Sequence, residues 1–129
     1  MSAKAQEDIH VTKEDQERIN TFAKYSIKVK DYKTELKEKK KELENFEELE
    51  SEMLLMDSSV ETVPYLVGDS YIYVSPDQCQ LKIERETKKV REAMVNLEEQ
   101  ISKATVEMNI LKMELYSKFK DNINLEEDL

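Results

Sequence analysis

The sequence predicts a mainly α fold, in which two long helices form an antiparallel coiled coil with one β-hairpin at their connection. Three features predict it. The only Gly and both Pro residues, Pro64, Gly68 and Pro76, lie in one short window. Heptad-like apolar spacing occurs on both sides of that window. Charged residues make up 38% of the chain and hydrophobic residues 39%, a balance that suits solvated helices paired along a narrow stripe. We therefore divide the chain into a flexible N-terminus (1–11), a helix–hairpin–helix (12–119) and an acidic C-terminal tail (120–129).

The first helix is predicted to run from Thr12 to Met56. Thr12 and Asp15 have the spacing of a capping box, and acidic residues in the first turn suit the helix dipole. Three–four spacing continues through Ile19, Phe22, Ser26, Val29, Lys33, Leu36, Lys40 and Leu43. Phe46, Leu49, Met53 and Met56 extend this seam after a phase shift of one residue, so we expect a local distortion there.

The second helix has a more regular a/d pattern. One heptad series is Met94, Ile101, Met108 and Leu115, and the other is Val90, Leu97, Ala104 and Leu111. A pattern kept for about four heptads indicates a coiled coil. Ser75 and Pro76 suit the N-cap and the first helical position, and the helix should end near Phe119.

The segment between the helices, about residues 60–75, predicts a β-hairpin. It is rich in β-branched and aromatic residues, which favour strands. Gly68 and Asp69 suit a two-residue turn, with strands near 63–67 and 70–75. Pro64 should lie at a strand start or on an edge, because it cannot donate a ladder hydrogen bond.

This hairpin carries apolar or aromatic side chains on both faces, which predicts a protein partner. An isolated two-stranded hairpin is marginal in water, and exposed apolar strand edges promote aggregation unless they are paired. We therefore expect it to join strands of other chains rather than fold only onto its own helices. The predicted subunit interface is Tyr65, Leu66, Val67, Tyr71, Ile72, Tyr73 and Val74.

Apolar residues also meet where the two chain ends come together in an antiparallel pair. They are Ile19, Phe22, Leu115, Tyr116 and Phe119. Two interpretations stay open at this point. The side chains either close the last turns of the coil or form an adaptable apolar surface that holds another polypeptide.

Charge and residue usage exclude several other functions. A formal net charge of -9 and a sequence pI near 4.8 disfavour nucleic-acid binding. No apolar run is long enough for a membrane span. His10 and Cys79 are the only residues of their types and make neither a catalytic arrangement nor a zinc site. We expect no enzyme activity, no metal and no cofactor. The expected location is the cytoplasm, with the nucleus as an open alternative.

Three local motifs add a family resemblance: VTKEDQERIN at 11–20, PYLVGDSYI at 64–72 and LYSKFKDNINLE at 115–126. On these motifs and the architecture, the chain resembles the β-type subunits of prefoldin, which have a single hairpin where α-type subunits have two. The family's last motif usually carries Gly where this sequence has Lys120.

The resemblance implies a hetero-hexamer of two α-type and four β-type subunits, whose hairpins form a β-barrel platform carrying six coiled coils. It further implies that the coil tips hold non-native proteins, chiefly actin and tubulin, and deliver them to the cytosolic chaperonin without ATP. The alternative is a structural coiled-coil scaffold that binds one fixed partner.

Overall fold

The computed structural model describes residues 10–56, 59–120 and 125, and it contains two long helices with a hairpin between them. The elements are α1 (Lys13–Leu54), β1 (Val63–Val67), β2 (Ser70–Val74) and α2 (Pro76–Phe119). The predicted fold class is therefore confirmed. Most of the predicted flexible N-terminus and of the predicted acidic tail lies outside the described residues.

Both helices begin with reciprocal capping. At α1 the Thr12 N–H donates to Asp15 Oδ2 at 3.0 Å, and the Asp15 N–H donates to Thr12 Oγ1 at 3.0 Å. At α2 the Ser75 N–H donates to Gln78 Oε1 at 3.1 Å, and the Gln78 N–H donates to Ser75 Oγ at 3.2 Å. These bonds satisfy backbone donors that have no partner within the first turn of a helix. Thr12 and Ser75 are the caps that the sequence predicts, whereas the role of Gln78 was not foreseen.

The seam of α2 follows the predicted heptads. All eight predicted positions are buried or half-buried, and Cys79, Ile83 and Thr87 continue the buried row towards the start of the helix. Leu and Met at such positions fill the space between two helices, so the a/d pattern predicts this face correctly.

The seam of α1 differs from the prediction at two lysines. Lys33 and Lys40, which were placed on the seam, are exposed, and Tyr32 and Lys39 are half-buried in their stead. Burying an unpaired ammonium group costs far more than exposing it. Lys39 avoids that cost because it is only half-buried and its Nζ pairs with Glu42 Oε2 at 3.2 Å. Tyr25 is also half-buried and packs against the core, so the three–four spacing runs unbroken from Phe22 to Phe46 without the phase shift expected there. α1 is a single helix to Leu54.

The hairpin is antiparallel, with Val63 opposite Val74 and Tyr65 opposite Ile72. Gly68 has a φ of 62°, and Asp69 is not among the described residues with positive φ. A positive φ at the first central residue alone is the pattern of a type II′ turn, which matches the twist of the flanking strands. The predicted strands are confirmed except that β2 ends at Val74, because Ser75 caps α2.

The chain divides into two compact units, each with its own apolar core. The first unit comprises residues 1–35 and 97–129, and the second comprises residues 36–96. In the first unit Phe22 and Val29 of α1 pack with Met108 and Leu115 of α2. In the second, Val74, Cys79 and Ile83 form the core. Within the described residues, no helix has the length and apolar character needed to cross a membrane.

Candidate subunit interface and end cluster

The two faces of the hairpin have different environments. Alternation along a strand places Val63, Tyr65, Ile72 and Val74 on one face, and Pro64, Leu66, Tyr71 and Tyr73 on the other. We call the first set the inner face and the second set the outer face.

The inner face packs against the chain's own helices. Val74 is buried, and Val63 and Tyr65 pack beside it against Cys79 and Ile83. Burial raises the pKa of the Tyr65 hydroxyl, and the nearby Glu86 raises it further. Two of the predicted interface residues, Tyr65 and Val74, are therefore already packed within the second unit.

The outer face is open to solvent. The exposed fractions are 54% for Leu66, 63% for Tyr71 and 73% for Tyr73, and Ile72 at the margin of the inner face is 41% exposed. The side chain of Val67 lies outside the described part of the structure. Three large apolar side chains on one small sheet make a contiguous patch of the kind that marks a protein interface.

Leu54 and Leu55, at the end of α1, are a further pair of exposed apolar residues in the second unit. They are not among the interface residues predicted from the sequence. The heptad spacing could have predicted their exposure. They fall between the half-buried Met53 and Met56, so they cannot face the other helix.

The five apolar residues predicted at the chain ends do come together. Phe22, Leu115 and Phe119 are buried, with exposed fractions of 3%, 1% and 4%, and Ile19 and Tyr116 pack against them. The burial of the first three supports the interpretation in which they close the coil. Ile19 and Tyr116 remain half-exposed.

Leu125 joins the same cluster from beyond the end of α2. It is buried, and its N–H donates to Tyr116 Oη at 3.4 Å. The preceding Lys120 has a φ of 54°, the left-handed conformation that commonly ends a helix and that favours Gly. Leu125 was assigned to the acidic tail, and its packing against the end cluster was not predicted.

A network of charged side chains lies beside the end cluster and is centred on the buried Asp15. Asp15 pairs with Lys118 of α2, and Arg18 Nη1 contacts Asp15 Oδ1 at 3.1 Å. Arg18 Nε also reaches Glu114 Oε2 at 3.2 Å. The hydrogen bond from Lys118, followed by that from the Thr12 N–H, lowers the pKa of Asp15 to about 2 against the opposing effect of burial. These cross-helix pairs show that the start of α1 meets the end of α2, as antiparallel helices require.

A second apolar face lies on α2 within the first unit. Val106, Ile110 and Met113 are all exposed, and their spacing places them on one side of the helix, roughly opposite the buried Met108 and Leu115. We call this set the α2 outer stripe. Its i, i+4, i+7 spacing is visible in the sequence, but the stronger a/d pattern of the same helix obscured it.

The described residues offer little for catalysis or metal binding. They contain no group of three or more His, Cys, Asp or Glu residues that could hold a metal ion. Cys79 is buried, and this burial raises the pKa of its thiol, which opposes formation of the reactive thiolate. Cys79 therefore acts as a small core residue at the start of α2.

Comparison with known proteins agrees with this architecture. A family model described as "Prefoldin subunit" matches residues 16–122. The proteins named prefoldin subunit 4 in Homo sapiens and Bos taurus are each 37% identical to this chain over 128 residues, which covers 99% of the chain and 96% of each relative. Prefoldin subunit 4 of Saccharomyces cerevisiae is 33% identical over 116 residues, covering 90% of the chain and 89% of that relative. The resemblance inferred from the three sequence motifs is confirmed, and the chain belongs to the prefoldin subunit family.

Proposed function

We propose that this chain is a subunit of a hetero-hexameric, ATP-independent holdase that assembles through its hairpin with other α- and β-type prefoldin subunits. The observation that carries this proposal is the exposed outer face of Leu66, Tyr71 and Tyr73. A single chain with such a face loses the favourable free energy of burying it, and a partner sheet recovers that free energy.

The backbone of the hairpin supports the same proposal. Within the described residues the sheet has two strands, so each strand has one edge whose N–H and C=O groups lack a strand partner. Strand addition from a neighbouring subunit satisfies these groups, and closure of the joined strands into the β-barrel platform then covers the outer face. The role of Leu66, Tyr71, Ile72 and Tyr73 is then assembly, while Tyr65 and Val74 hold the hairpin on its own helices.

For the bound client we propose non-native polypeptides, of the actin and tubulin class that the family resemblance implies, with delivery to the cytosolic chaperonin. The proposed location is the cytoplasm, with the nucleus as the alternative, and the proposed role is not enzymatic. The α2 outer stripe offers the apolar surface for client contact, and Tyr116 lies one turn beyond Met113, so it extends the stripe towards the end cluster.

The size of this stripe favours a weak and adaptable contact. Three exposed side chains present on the order of a few hundred Å² of apolar surface. A stable protein interface buries about 800 Å² on each partner. A holdase needs such a low-affinity site, because it must release its client, and the unbranched side chain of Met113 can adapt to clients of different shape.

The test is aggregation of chemically denatured actin on dilution into buffer, in the presence of the complex reconstituted with the other prefoldin subunits. The wild-type complex should suppress light scattering at near-stoichiometric ratios. Ile110→Ser with Met113→Ser should weaken suppression by about 2- to 5-fold, since only one subunit of the complex loses apolar contact area.

The matched control is Val95→Ser, which removes an equally exposed apolar residue of α2 from the second unit. It should leave suppression unchanged, and native mass should show intact complexes for all variants. Full suppression of aggregation by the double variant would mean that the α2 outer stripe does not bind the client. A wild-type complex that fails to suppress aggregation would favour the alternative, a structural scaffold with one fixed partner.

A further inference from the structure

Three cations form one face of α2 beside the hairpin, in a chain whose net charge is -9. Lys82, Arg85 and Lys89 are three and four residues apart, so they lie along one side of the helix. We call this set the basic ridge. It is the feature of the second unit that neither the apolar core nor the outer face of the hairpin explains.

Two apolar-walled grooves flank the basic ridge, and each has a volume of about 460 Å³. Phe46, Tyr65 and Leu66 form the wall of one groove. Ile72, Val74 and Leu81 form the wall of the other. Lys82 and Arg85 line both grooves, so a chain that lies along either strand of the hairpin meets the same two cations.

The cations differ in the partners they have within the chain. Lys89 Nζ contacts Glu86 Oε1 at 3.4 Å, and Lys82 Nζ lies 5.9 Å from the centre of the Tyr65 ring. Arg85 is exposed, and among the described residues it has neither an ion pair nor a hydrogen bond with another side chain. An exposed guanidinium between apolar walls is well suited to a planar, two-point contact with a carboxylate.

We propose that Arg85, supported by Lys82, binds a carboxylate on a neighbouring prefoldin subunit, and thereby helps to select which subunit lies beside this one. The occupant is a strand in which an Asp or Glu is flanked by apolar residues, since the cation stands between apolar walls and beside strand edges that lack partners. The proposal rests on the proposed function, because it requires assembly through the hairpin.

Charge decides the class of partner. Three cations with one paired glutamate attract an acidic segment, and a wrong neighbour with a Lys or Arg at that position is repelled. A nucleic acid does not fit this surface, because the basic ridge is short, its grooves have apolar walls and the chain as a whole is strongly acidic.

The test is incorporation of this chain into the complex with the other recombinant prefoldin subunits, measured by native mass spectrometry at equal protein concentrations. Arg85→Glu should reduce incorporation by about 10-fold or more, since it places like charges in contact. Wild-type incorporation should weaken as salt rises from about 0.05 M to about 0.5 M, and the variant should lose most of that salt dependence.

Two further variants separate charge from packing. Arg91→Glu makes the same charge change at an exposed position of α2 outside both grooves, and it should incorporate like the wild type. Arg85→Leu keeps apolar contact without charge. If the grooves acted through apolar contact alone, this variant would incorporate at least as well as the wild type, and the proposal would be wrong.

A carbodiimide, which joins an amine directly to a carboxylate, identifies the partner residue. In the complex with Arg85→Lys, a cross-link from position 85 to an Asp or Glu of another subunit is the expected result. Equal incorporation of Arg85→Glu and Arg91→Glu would overturn this inference and leave the proposed function standing. A wild-type chain that joins no other subunit would overturn both.

Discussion

The apolar cluster at the chain ends and the apolar hairpin differ in how fully their side chains are buried. In the first unit Phe22, Leu115 and Phe119 are buried between the helices, and Leu125 covers them from beyond the end of α2. In the second unit the apolar side chains of the strands are divided, with the inner face packed and the outer face exposed. The first core is complete within one chain, whereas six of the nine strand residues whose side chains are described in the second unit are exposed. This difference is what the proposed assembly through the hairpin requires.

The largest expected effect is on the free energy of unfolding of the isolated chain, which should fall for a substitution in the first core and hardly change for one on the outer face. Leu115→Ala leaves a cavity in the first core and should lower the free energy of unfolding by about 2–5 kcal/mol. Tyr73→Ser, on the outer face, should change it by about 0.5 kcal/mol or less, because Tyr73 is already in water. Urea unfolding followed by far-UV circular dichroism measures both.

For incorporation into the complex the order should be reversed, with Tyr73→Ser having the larger effect and Leu115→Ala the smaller one. Tyr73→Ser should reduce incorporation into the complex with other prefoldin subunits, since the proposed assembly buries this side chain. A Tyr73→Ser chain that loses as much stability as Leu115→Ala would mean that the outer face packs within the chain, and the contrast between the units would fail.

A smaller effect tests the charged side chains beside the first core. Asp15 has a pKa of about 2 in the folded chain and about 3.9 when unfolded, so at low pH the unfolded chain binds this proton more readily. The stabilisation from Asp15 is therefore complete above about pH 4 and is lost as pH falls towards about 2. The difference in melting temperature between wild type and Asp15→Asn should be large at pH 6 and should shrink across this range.

Glu14→Gln provides the control, because it removes the same charge from the same turn of α1 at an exposed position. Its melting temperature should follow that of the wild type closely at each pH. A difference for Asp15→Asn that stays constant from pH 6 to pH 2 would mean that the carboxylate is not stabilised by Lys118 and Thr12.

The sequence alone predicted the features that depend on local patterns. The capping residues, the hairpin turn at Gly68 and the a/d seam of α2 each follow from nearest neighbours along the chain, and the structure confirms them. The seam of α1 was placed incorrectly at Lys33 and Lys40, because polar residues make a heptad phase ambiguous and only the partner helix decides it.

The candidate sites were predicted less completely, for a related reason. Alternation shows that the hairpin has two faces, but which of them packs on the helices depends on tertiary contacts of Val63 and Tyr65. The basic ridge likewise could not be recognised as a candidate site from the sequence, because its grooves form only where the strands lie beside α2. Leu125 follows the same rule, since its burial depends on contacts with the end cluster that its neighbours in sequence do not specify.

The smallest effect concerns the backbone of Lys120 at the end of α2. Lys120 has a φ of 54°, where a side chain with a Cβ costs roughly 1 kcal/mol relative to Gly. Lys120→Gly should therefore raise the free energy of unfolding by about 0.5–1 kcal/mol, although it gives up a cation near the helix C-terminus. Lys103→Gly, the same substitution at an exposed position inside α2, should lower it by about 1 kcal/mol. If the free energy of unfolding rises for Lys120→Gly and falls for Lys103→Gly in one urea series, the stabilisation comes from the backbone conformation at residue 120. A loss for both would mean that the charge of Lys120 contributes more to closing the first core than its strained backbone costs.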